Sequence, residues 1–423
     1  MSARRALLLS LALCIFAVGW LVLTADADGA GAAGERARRI FGLWRARNVL
    51  IGLGAAWLAL ALPFLVRPGR ARTRFVVLHA SFALVWGVLE LAGALGAVSY
   101  PRLVGNQPRE QLGTRRMPNK DERGLAREDL ADAWKLAREP IEFRFQTDRH
   151  GFRNAPDREH ADVYCLGDSF LVAGLVPQDQ FLPPALEQRL GRSVMGVALV
   201  GLSPQAEREL LHESKLPLDG RLVLHFVFEG NDLLDSANFR GTRKRETQGW
   251  TERTLANQLV LKLQVATQKE PAFVKGRAGR IGDETYYFGW LRSSFEGLEG
   301  ELAPIADTLS TLHREVEAAG GRYAVVIVPD KLRVLGPACT FPPESEVGDW
   351  RTHCGPVPEF LAAWSAREGV PVLDLTEPLR ASVAKGDVPW FPADTHWNAT
   401  GHRVAAETIA AWEPVRAWAG TKR

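Results

Sequence analysis

Three long apolar stretches occupy the first hundred residues. They run from Ala6 to Thr24, from Val49 to Val66 and from Phe75 to Val98. The first two carry no charge, and each stretch is close to the roughly 20 residues that a helix needs to cross a bilayer. A cleaved signal peptide is the alternative for the first stretch, but the two stretches behind it favour an uncleaved bundle. We therefore predict three transmembrane helices within residues 1–100.

A single carboxylate interrupts the third apolar stretch, at Glu90. An acidic side chain inside a membrane is a functional candidate by default. The alternative is a group that is hydrogen-bonded within the bundle or protonated in place, and we favour that alternative.

The arginines beside these stretches give conflicting signals about orientation. Four of them crowd the loop of residues 67–74, and the positive-inside rule puts that loop in the cytoplasm. The amino terminus would then also be cytoplasmic, and everything after Tyr100 would lie outside. Five more arginines in residues 36–47 oppose this arrangement, so charge alone leaves both orientations open.

The pattern changes after the apolar stretches. Residues 101–142 are polar and lack a clean periodicity, so we expect a linker with some helix, followed by one domain over residues 143–423. In that domain continuous apolar runs, which suit strands buried on both faces, alternate with helical patterns. The expected strands are 163–166, 194–200, 221–229, 322–329 and 371–375, and the expected helices are 183–190, 204–214, 301–318, 357–366 and 401–416.

This alternation predicts an α/β fold with a mainly parallel sheet and helices on both faces, a three-layer α/β/α domain. Residues 235–300 separate the third strand from its helix by an unusually long distance. We expect that segment to form an insertion or a lid beside the site.

Composition narrows the function. The net charge is only +3, and no basic run is interleaved with aromatic residues, so nucleic acid is not an expected partner. The four cysteines form no Cys-x-x-Cys pair, which disfavours a structural zinc site. Cys339 and Cys354 lie in a loop rich in Pro and Gly, where we expect a disulfide, a bond that persists outside the cytoplasm. Cys165 lies in a core strand and should stay reduced.

Candidate chemistry follows the ends of the predicted strands. Ser169 comes directly after the first strand, Gly201 after the second and Asn231 after the third, while Asp394 and His396 precede the last helix. A serine nucleophile needs a base, and the base needs an orienting carboxylate. Glycine and asparagine can offer N–H groups to an oxyanion. Taken singly, each residue has an ordinary alternative as a turn residue, a helix cap or an exposed loop histidine.

The order of these motifs resembles the SGNH (GDSL) hydrolase superfamily, over about residues 145–417. The motifs are Gly-Asp-Ser-Phe at 167–170, the glycine at 201, Gly-Asn-Asp at 230–232 and Asp-Thr-His-Trp at 394–397. The resemblance implies a flavodoxin-like domain with Ser169 as nucleophile, His396 as base, and Gly201 and Asn231 as oxyanion donors. Most of the superfamily has its acid three residues before the histidine, whereas Asp394 lies two before it.

The Asp-Thr-His-Trp form is similar to the alginate O-acetyltransferase branch, membrane-linked proteins that acetylate exported polysaccharides. Gly-Phe-Arg-Asn at 151–154 and Val-Pro-Asp-Lys at 328–331 are also similar to bacterial relatives. By this resemblance Trp397 and Lys331 are candidates for substrate binding. The chain departs from the pattern in lacking an asparagine before its glycine block, and in three anchors where that branch has one.

These observations predict serine-dependent acyl-ester chemistry, without metal or organic cofactor, on a polysaccharide or another acylated substrate. The expected location is the bacterial inner membrane, with a periplasmic catalytic domain and a membrane-bound acyltransferase as a partner. Hydrolysis and transfer remain open, because the sequence does not say whether water or a sugar hydroxyl reaches the acyl-enzyme. A membrane-anchored esterase or lipase and a non-catalytic envelope scaffold are the alternatives.

Overall fold

The computed structural model describes residues 3–24, 39–40, 44–66, 69–95, 97–98, 100, 116–155, 157–242, 254–267, 272–291, 294–343 and 345–420. The chain forms two compact units. One comprises Met1–Arg109 with Glu246–Pro271, and the other comprises Glu110–Arg245 with Ala272–Arg423.

The helices and strands are numbered along the chain. The helices are α1 (Ala3–Leu23), α2 (Ala46–Val66), α3 (Arg70–Ala94), α4 (Asp129–Trp134), α5 (Ser169–Val172), α6 (Leu182–Leu190), α7 (Pro204–Ser214), α8 (Asp232–Thr242), α9 (Leu255–Thr267), α10 (Leu302–Ala318), α11 (Lys331–Leu335), α12 (Val357–Glu368), α13 (Thr376–Ala384), α14 (Ala399–Ala411) and α15 (Glu413–Gly420). The strands are β1 (Arg39–Ile40), β2 (Trp44–Arg45), β3 (Asp121–Ala126), β4 (Ile141–Gln146), β5 (Val163–Gly167), β6 (Val194–Ala198), β7 (Leu222–Phe228), β8 (Ala278–Ile281), β9 (Glu284–Tyr287), β10 (Arg322–Val328) and β11 (Val372–Asp374).

Among its described residues, the first unit holds two helices that are long and apolar enough to cross a membrane, Arg47–Val66 and Arg70–Ala94. The prediction of three such helices was therefore wrong by one. All three apolar stretches are helical, but the apolar part of α1 is confined to Leu8–Leu23 and falls short of a full span. Many leucines of α2 and α3 are exposed on the unit, among them Leu60 and Leu78.

The second unit is built on a five-stranded sheet in the order β11-β10-β7-β5-β6, and every neighbouring pair is parallel. The expected α/β fold with a mainly parallel sheet is confirmed, and the five strands fall where the apolar runs placed them. The first strand lies between the second and the third, which is the flavodoxin-like order. The chain therefore reverses its direction of winding at β5, where such sheets bind ligands.

Helices cover both faces of the sheet because successive side chains of each strand point to opposite sides. On one face, Leu224 and Phe226 join a core with α6, α13 and α14. On the other face, Val223 and Val227 pack with α7, α10 and α12. All seven residues of β7 are buried, as its uninterrupted apolar run predicted.

The segment expected to be a polar linker is largely structured within the second unit. Residues 116–142 include β3, the short helix α4 and the start of β4, and β3 pairs antiparallel with β4. Residues 101–115 lie outside the described residues. No periodicity is visible in this part of the sequence, because the hairpin and the six-residue helix are too short to show one.

Cys339 and Cys354 are free thiols, so the expected disulfide is not formed. The two side chains lie in different surroundings. Cys339 packs beside Gly279 of β8, whereas the Cys354 thiol donates to the Trp350 carbonyl at 3.6 Å. Burial raises the pKa of both thiols to about 12. Cys165 is buried and free, as expected.

Candidate active site

Ser169 lies at the point where the winding of the sheet reverses. It begins α5 directly after β5, and Asp168 caps this helix by accepting the Phe170 N–H at 3.1 Å. Gly167 allows the tight turn, because a Cβ there would lie 3.0 Å from Leu171 and 3.1 Å from Phe226. Ser169 itself is only partly buried. The fold therefore presents its hydroxyl at the carboxyl edge of the sheet.

The structure joins Ser169 to the distant pair Asp394 and His396. The Ser169 hydroxyl lies 2.8 Å from His396 Nε2, and His396 Nδ1 lies 2.7 Å from Asp394 Oδ1. The backbone N–H of His396 also donates to Asp394 Oδ1 at 2.9 Å. A spacing of two residues thus suffices for the carboxylate to orient the imidazole, because the loop turns the two side chains toward each other.

Electrostatics favour the charged form of the imidazole. Although loss of solvation opposes it, the Asp394 carboxylate, helped by Asp129 and Asp168, raises the pKa of His396 to about 9. The pKa of Asp394 lies below its usual range, because the His396 charge and hydrogen bond outweigh the opposing effect of burial. The pair therefore behaves as an ion pair that holds the ring in one orientation.

A second carboxylate, Asp129, lies beside the same histidine. Its Oδ1 accepts the Thr395 N–H at 2.8 Å, its Oδ2 accepts the Thr395 hydroxyl, and that Oδ2 lies 3.6 Å from His396 Nδ1. Loss of solvation and the Asp394 charge raise the pKa of Asp129 to about 6. Sequence reasoning missed this residue, since nothing in the polar segment pointed to a partner 265 positions away.

The residues around Asp129 clamp the rest of the histidine loop. Glu128 accepts the Ala393 N–H at 2.9 Å, and the N–H groups of Leu130 and Ala131 donate to the Ala393 carbonyl at 3.0 and 3.1 Å. Residues 128–131 therefore hold the loop that carries His396 in place.

Lys331 stabilises this loop from the interior of the protein and is not placed to bind substrate. It is 2% exposed, and its ammonium group donates to the carbonyls of Phe391, Pro392 and Asp394 at 2.8, 2.8 and 3.0 Å. Burial lowers its pKa to about 8 despite the neighbouring carboxylates. All three donors of the ammonium group are engaged, so the expected substrate contact is replaced by a structural one.

Trp397 likewise belongs to the core. It is 1% exposed and packs edge-on against Phe170, Trp390 and His402 at ring-centre distances of 5.0, 6.2 and 5.6 Å. Its ring therefore supports the helix that carries the serine, and the expected contact with substrate is not available to it.

The two expected oxyanion donors follow the strands that flank β5. Gly201 follows β6 with a φ of 74°, and a Cβ there would meet no atom within 4 Å, so the left-handed conformation is what favours glycine. Asn231 follows β7, and its side-chain amide donates to the Asp235 carboxylate one turn into α8. Burial raises the pKa of Asp235 to about 6.

The turn after Ser169 is held by a buried arginine that sequence reasoning noted only as part of a motif. Arg153 is 3% exposed and donates to the carbonyls of Val172, Ala173 and Val176. Its guanidinium lies over the rings of Phe145 and Phe181, and burial lowers its pKa to about 9.

The neighbouring Asn154 fastens the loop before β5 to the edge of the sheet. Its side chain donates to the Gly196 carbonyl at 2.9 Å and accepts the Gly196 N–H at 2.8 Å, as a partner strand would. It also donates to Asp148 at 2.8 Å.

Asp129, Asp394 and His396 are also the described residues whose ligand atoms lie close enough to one another, within 4.8 Å, to hold a metal ion. Their geometry suits a different role. The His396 ring is bonded to Asp394 on one side and to Ser169 on the other, and Asp129 accepts two hydrogen bonds from Thr395. Hydrogen bonds with one another, with Ser169 and with Thr395 therefore account for this cluster.

Part of the chain is similar to a known protein family. Residues 289–418 match the family described as the SGNH hydrolase-like domain of acetyltransferase AlgX. No curated protein sequence matches the chain. Among solved structures, the acetyl xylan esterase AlAXEase is 10% identical with a TM-score of 0.34, and the alignment covers 60% of this chain and 98% of the esterase. Protein YXIM from Bacillus subtilis is 12% identical with a TM-score of 0.30, over 64% of this chain and 60% of that protein.

The matched segment contains Lys331, Asp394 and His396, while Ser169, Gly201 and Asn231 lie before it. The resemblance seen in the sequence is confirmed over residues 289–418, which are similar to the SGNH hydrolase-like domain of acetyltransferase AlgX.

Proposed function

We propose that the chain is an extracytoplasmic, membrane-anchored enzyme that moves an acetyl group to or from a polysaccharide through a covalent intermediate on Ser169. The observation that carries the proposal is the unbroken relay from Ser169 Oγ to His396 Nε2 at 2.8 Å and from His396 Nδ1 to Asp394 Oδ1 at 2.7 Å. The match to a family described as an acetyltransferase supports the acetyl group, and the similarity of residues 394–397 to the alginate O-acetyltransferase branch suggests the polysaccharide.

The chemistry follows from these positions. Ser169 Oγ attacks the acyl carbonyl while neutral His396 takes the hydroxyl proton at Nε2. The carbonyl oxygen becomes an oxyanion on the side of Gly201 and Asn231, whose N–H groups are suited to stabilise it. As the tetrahedral intermediate collapses, His396 returns the proton to the departing oxygen of the donor, and the acyl group remains on Ser169.

The second half repeats the first with a new nucleophile. His396 removes a proton from an incoming hydroxyl, which attacks the acyl-enzyme and releases Ser169 with its proton restored. Water in this step gives hydrolysis, and a sugar hydroxyl gives transfer.

The test begins with an activated acetyl ester and the full chain in detergent or nanodiscs. Intact-protein mass spectrometry should show one added acetyl group, located on Ser169 by peptide mapping. The Ser169→Ala variant should show none, and Ser203→Ala, which removes another serine that follows a strand, should acetylate normally. Acetylation that persists in Ser169→Ala would refute the assignment of the nucleophile.

A second assay asks which acceptor the enzyme uses. The acetylated protein is mixed with an oligosaccharide, and acetylated sugar and free acetate are both counted. The proposal of transfer predicts that acetylated sugar rises with acceptor concentration at the expense of acetate. Acetate as the main product even at saturating acceptor would instead identify an esterase.

A further inference from the structure

Helix α9 is inserted in the middle of the α/β domain, yet it belongs to the unit formed by the apolar amino-terminal helices. It follows α8 and precedes β8 in the chain, and residues 246–271 group with residues 1–109. Within that unit α9 packs against α3. The insertion predicted for residues 235–300 is therefore present. Among its described residues, α9 is the helix that does not belong to the α/β unit.

Three side chains of α9 show the reverse of the burial expected on a helix in water, while Lys262 is exposed on the same helix. Gln258 is 5% exposed, whereas Leu259 and Leu263 are each 43% exposed. Leu259 and Leu263 are four residues apart and share one face of the helix. In water the apolar face turns inward, so an outward apolar face indicates an apolar surrounding. Leucines are also exposed on α3, where Leu78 is 66% exposed.

A hydrogen bond joins α9 to the carboxylate of α3. The N–H of Ala256, in the first turn of α9, donates to Glu90 Oε1 at 2.9 Å. The free N–H groups and the positive end of a helix dipole stabilise a negative charge. A carboxylate within an apolar helix is costly unless such a partner is present. This contact accounts for the acidic residue in the third apolar stretch. It agrees with the favoured alternative, a carboxyl group that is hydrogen-bonded among the helices of the unit.

The position and length of α9 limit how it can lie in a bilayer. Glu90 precedes the end of α3 by one helical turn, so it is about 6 Å from that end. The 13 residues of α9 extend about 20 Å, less than the ~30 Å of the hydrocarbon core. The helix can therefore enter the membrane from the side where α3 ends, but it cannot cross it.

We propose that α9 is embedded in the membrane, so that the chain re-enters the bilayer between α8 and β8. Leu259 and Leu263 then contact lipid acyl chains, and Glu90 caps the amino terminus of the helix. The proposal rests on the membrane location included in the proposed function. Its occupant is lipid, because α9 packs against α3, a helix long and apolar enough to cross a membrane, and leucines of both helices are exposed.

Collision accessibility of a spin label tests this proposal in the full chain, reconstituted as a monomer in lipid nanodiscs. A ketone-bearing amino acid at position 259 or 263 is coupled to a nitroxide, which leaves the native cysteines unchanged. Oxygen concentrates in lipid and a nickel chelate stays in water. We expect high oxygen and low nickel accessibility at both positions, within twofold of the values for a label at position 78. A label at position 385, exposed on the α/β unit, should show the opposite.

Each other pattern overturns the proposal. High nickel accessibility at 259 and 263 would mean that the helix lies in water, and low accessibility to both reagents would mean that protein covers it. The label at position 78 separates this failure from that of the membrane location. If position 78 is also accessible to nickel, the membrane anchor itself is refuted.

The role of Glu90 is tested in the same assay. Glu90→Gln keeps an oxygen acceptor for the Ala256 N–H and should leave the labels in lipid. Glu90→Ala removes the acceptor and should raise nickel accessibility at position 259 at least several-fold. An unchanged pattern in Glu90→Ala would show that the cap does not hold α9 in place.

Discussion

The backbone N–H of Asp129 donates to Asp394 Oδ2 at 2.8 Å, while Asp394 Oδ1 holds the imidazole of His396 at 2.7 Å. One carboxylate thus connects His396 to the short helix α4, which lies more than 260 residues earlier in the chain. Both oxygens of Asp394 have defined partners, so its orientation is fixed from two sides. The loop that carries His396 is consequently held in place by residues 128–131.

The pH dependence of acylation should depend on Asp129. The pKa of His396 is raised to about 9, and only the neutral ring can accept the serine proton, so acylation should increase as the pH rises toward 9. Asp129→Asn removes a negative charge 3.6 Å from His396 Nδ1 and keeps an acceptor for Thr395. The pKa of His396 should fall, and the rise in acylation rate should occur at lower pH.

This difference should appear only where Asp129 is charged. Its own pKa is about 6, so wild type and Asp129→Asn should converge below that pH. The measurement is the rate of the acyl-enzyme burst with an activated acetyl ester from pH 5 to 10. Asp132→Asn, an exposed acid on the same helix, serves as control. A uniform loss of rate at every pH would show that Asp129 positions the loop without tuning the base.

Lys331 should affect stability and turnover but not substrate affinity. Lys331→Met removes the donor of the Phe391 and Asp394 carbonyls, while the Pro392 carbonyl keeps the Tyr287 N–H. Each buried group left unpaired costs about 1–3 kcal/mol. We expect a lower Tm and a lower kcat with KM unchanged. Lys385→Met, at an exposed position, should leave all three unchanged. A higher KM with unchanged Tm would restore the substrate-binding role expected from the sequence.

Asn231 should contribute to acylation through an amide that Asp235 orients. Loss of one oxyanion donor typically lowers the rate by about 10²–10³-fold, and we expect this of Asn231→Ala. Asp235→Ala leaves the amide in place but removes its hydrogen-bond acceptor, so its effect should be smaller. Asn238→Ala, on the exposed side of the same helix, is the control. Equal rates in Asn231→Ala and wild type would remove this residue from the oxyanion site.

The sequence predicted those parts of the site that follow buried strands. A continuous apolar run marks a strand such as β7, and the order of the strands places Ser169, Gly201 and Asn231 at one edge of the sheet. His396 and Asp394 were found because the chemistry requires a base and an acid. The principal fold and the principal catalytic groups could thus be predicted from local patterns.

The supporting residues could not be predicted, because their partners are distant in the chain. Asp129 lies in a polar segment without periodicity, and its role depends on a loop that only the folded chain brings near. The family resemblance made Trp397 a candidate for substrate binding, but its large apolar ring gains more free energy from burial in the core. A proline-rich and glycine-rich loop likewise says nothing of how Cys339 and Cys354 are oriented.

Arg153 should tolerate no replacement by lysine. Its planar fork of donors reaches the carbonyls of Val172, Ala173 and Val176 together, and a lysine has a single nitrogen in place of three. We expect Arg153→Lys to lower the free energy of unfolding by about 1–3 kcal/mol and to slow acylation, because the turn after Ser169 loosens. Arg149→Lys is the matched control, since Arg149 forms an exposed ion pair with Asp157, and such pairs contribute little to stability. Equal Tm values for the two variants would contradict this role.

Ser169 and His396 should act as one unit, so their losses should not add. Without His396 nothing removes the serine proton, and without Ser169 the histidine has no nucleophile to activate. Ser169→Ala, His396→Ala and the double variant should therefore fall to the same low rate on an activated acetyl ester, as is typical of triads. Circular dichroism should show that all three remain folded, since both side chains are partly exposed. A double variant slower than either single variant by the product of their effects would mean that the two residues serve separate steps. That result would break the relay from Ser169 to Asp394 on which the proposed function rests.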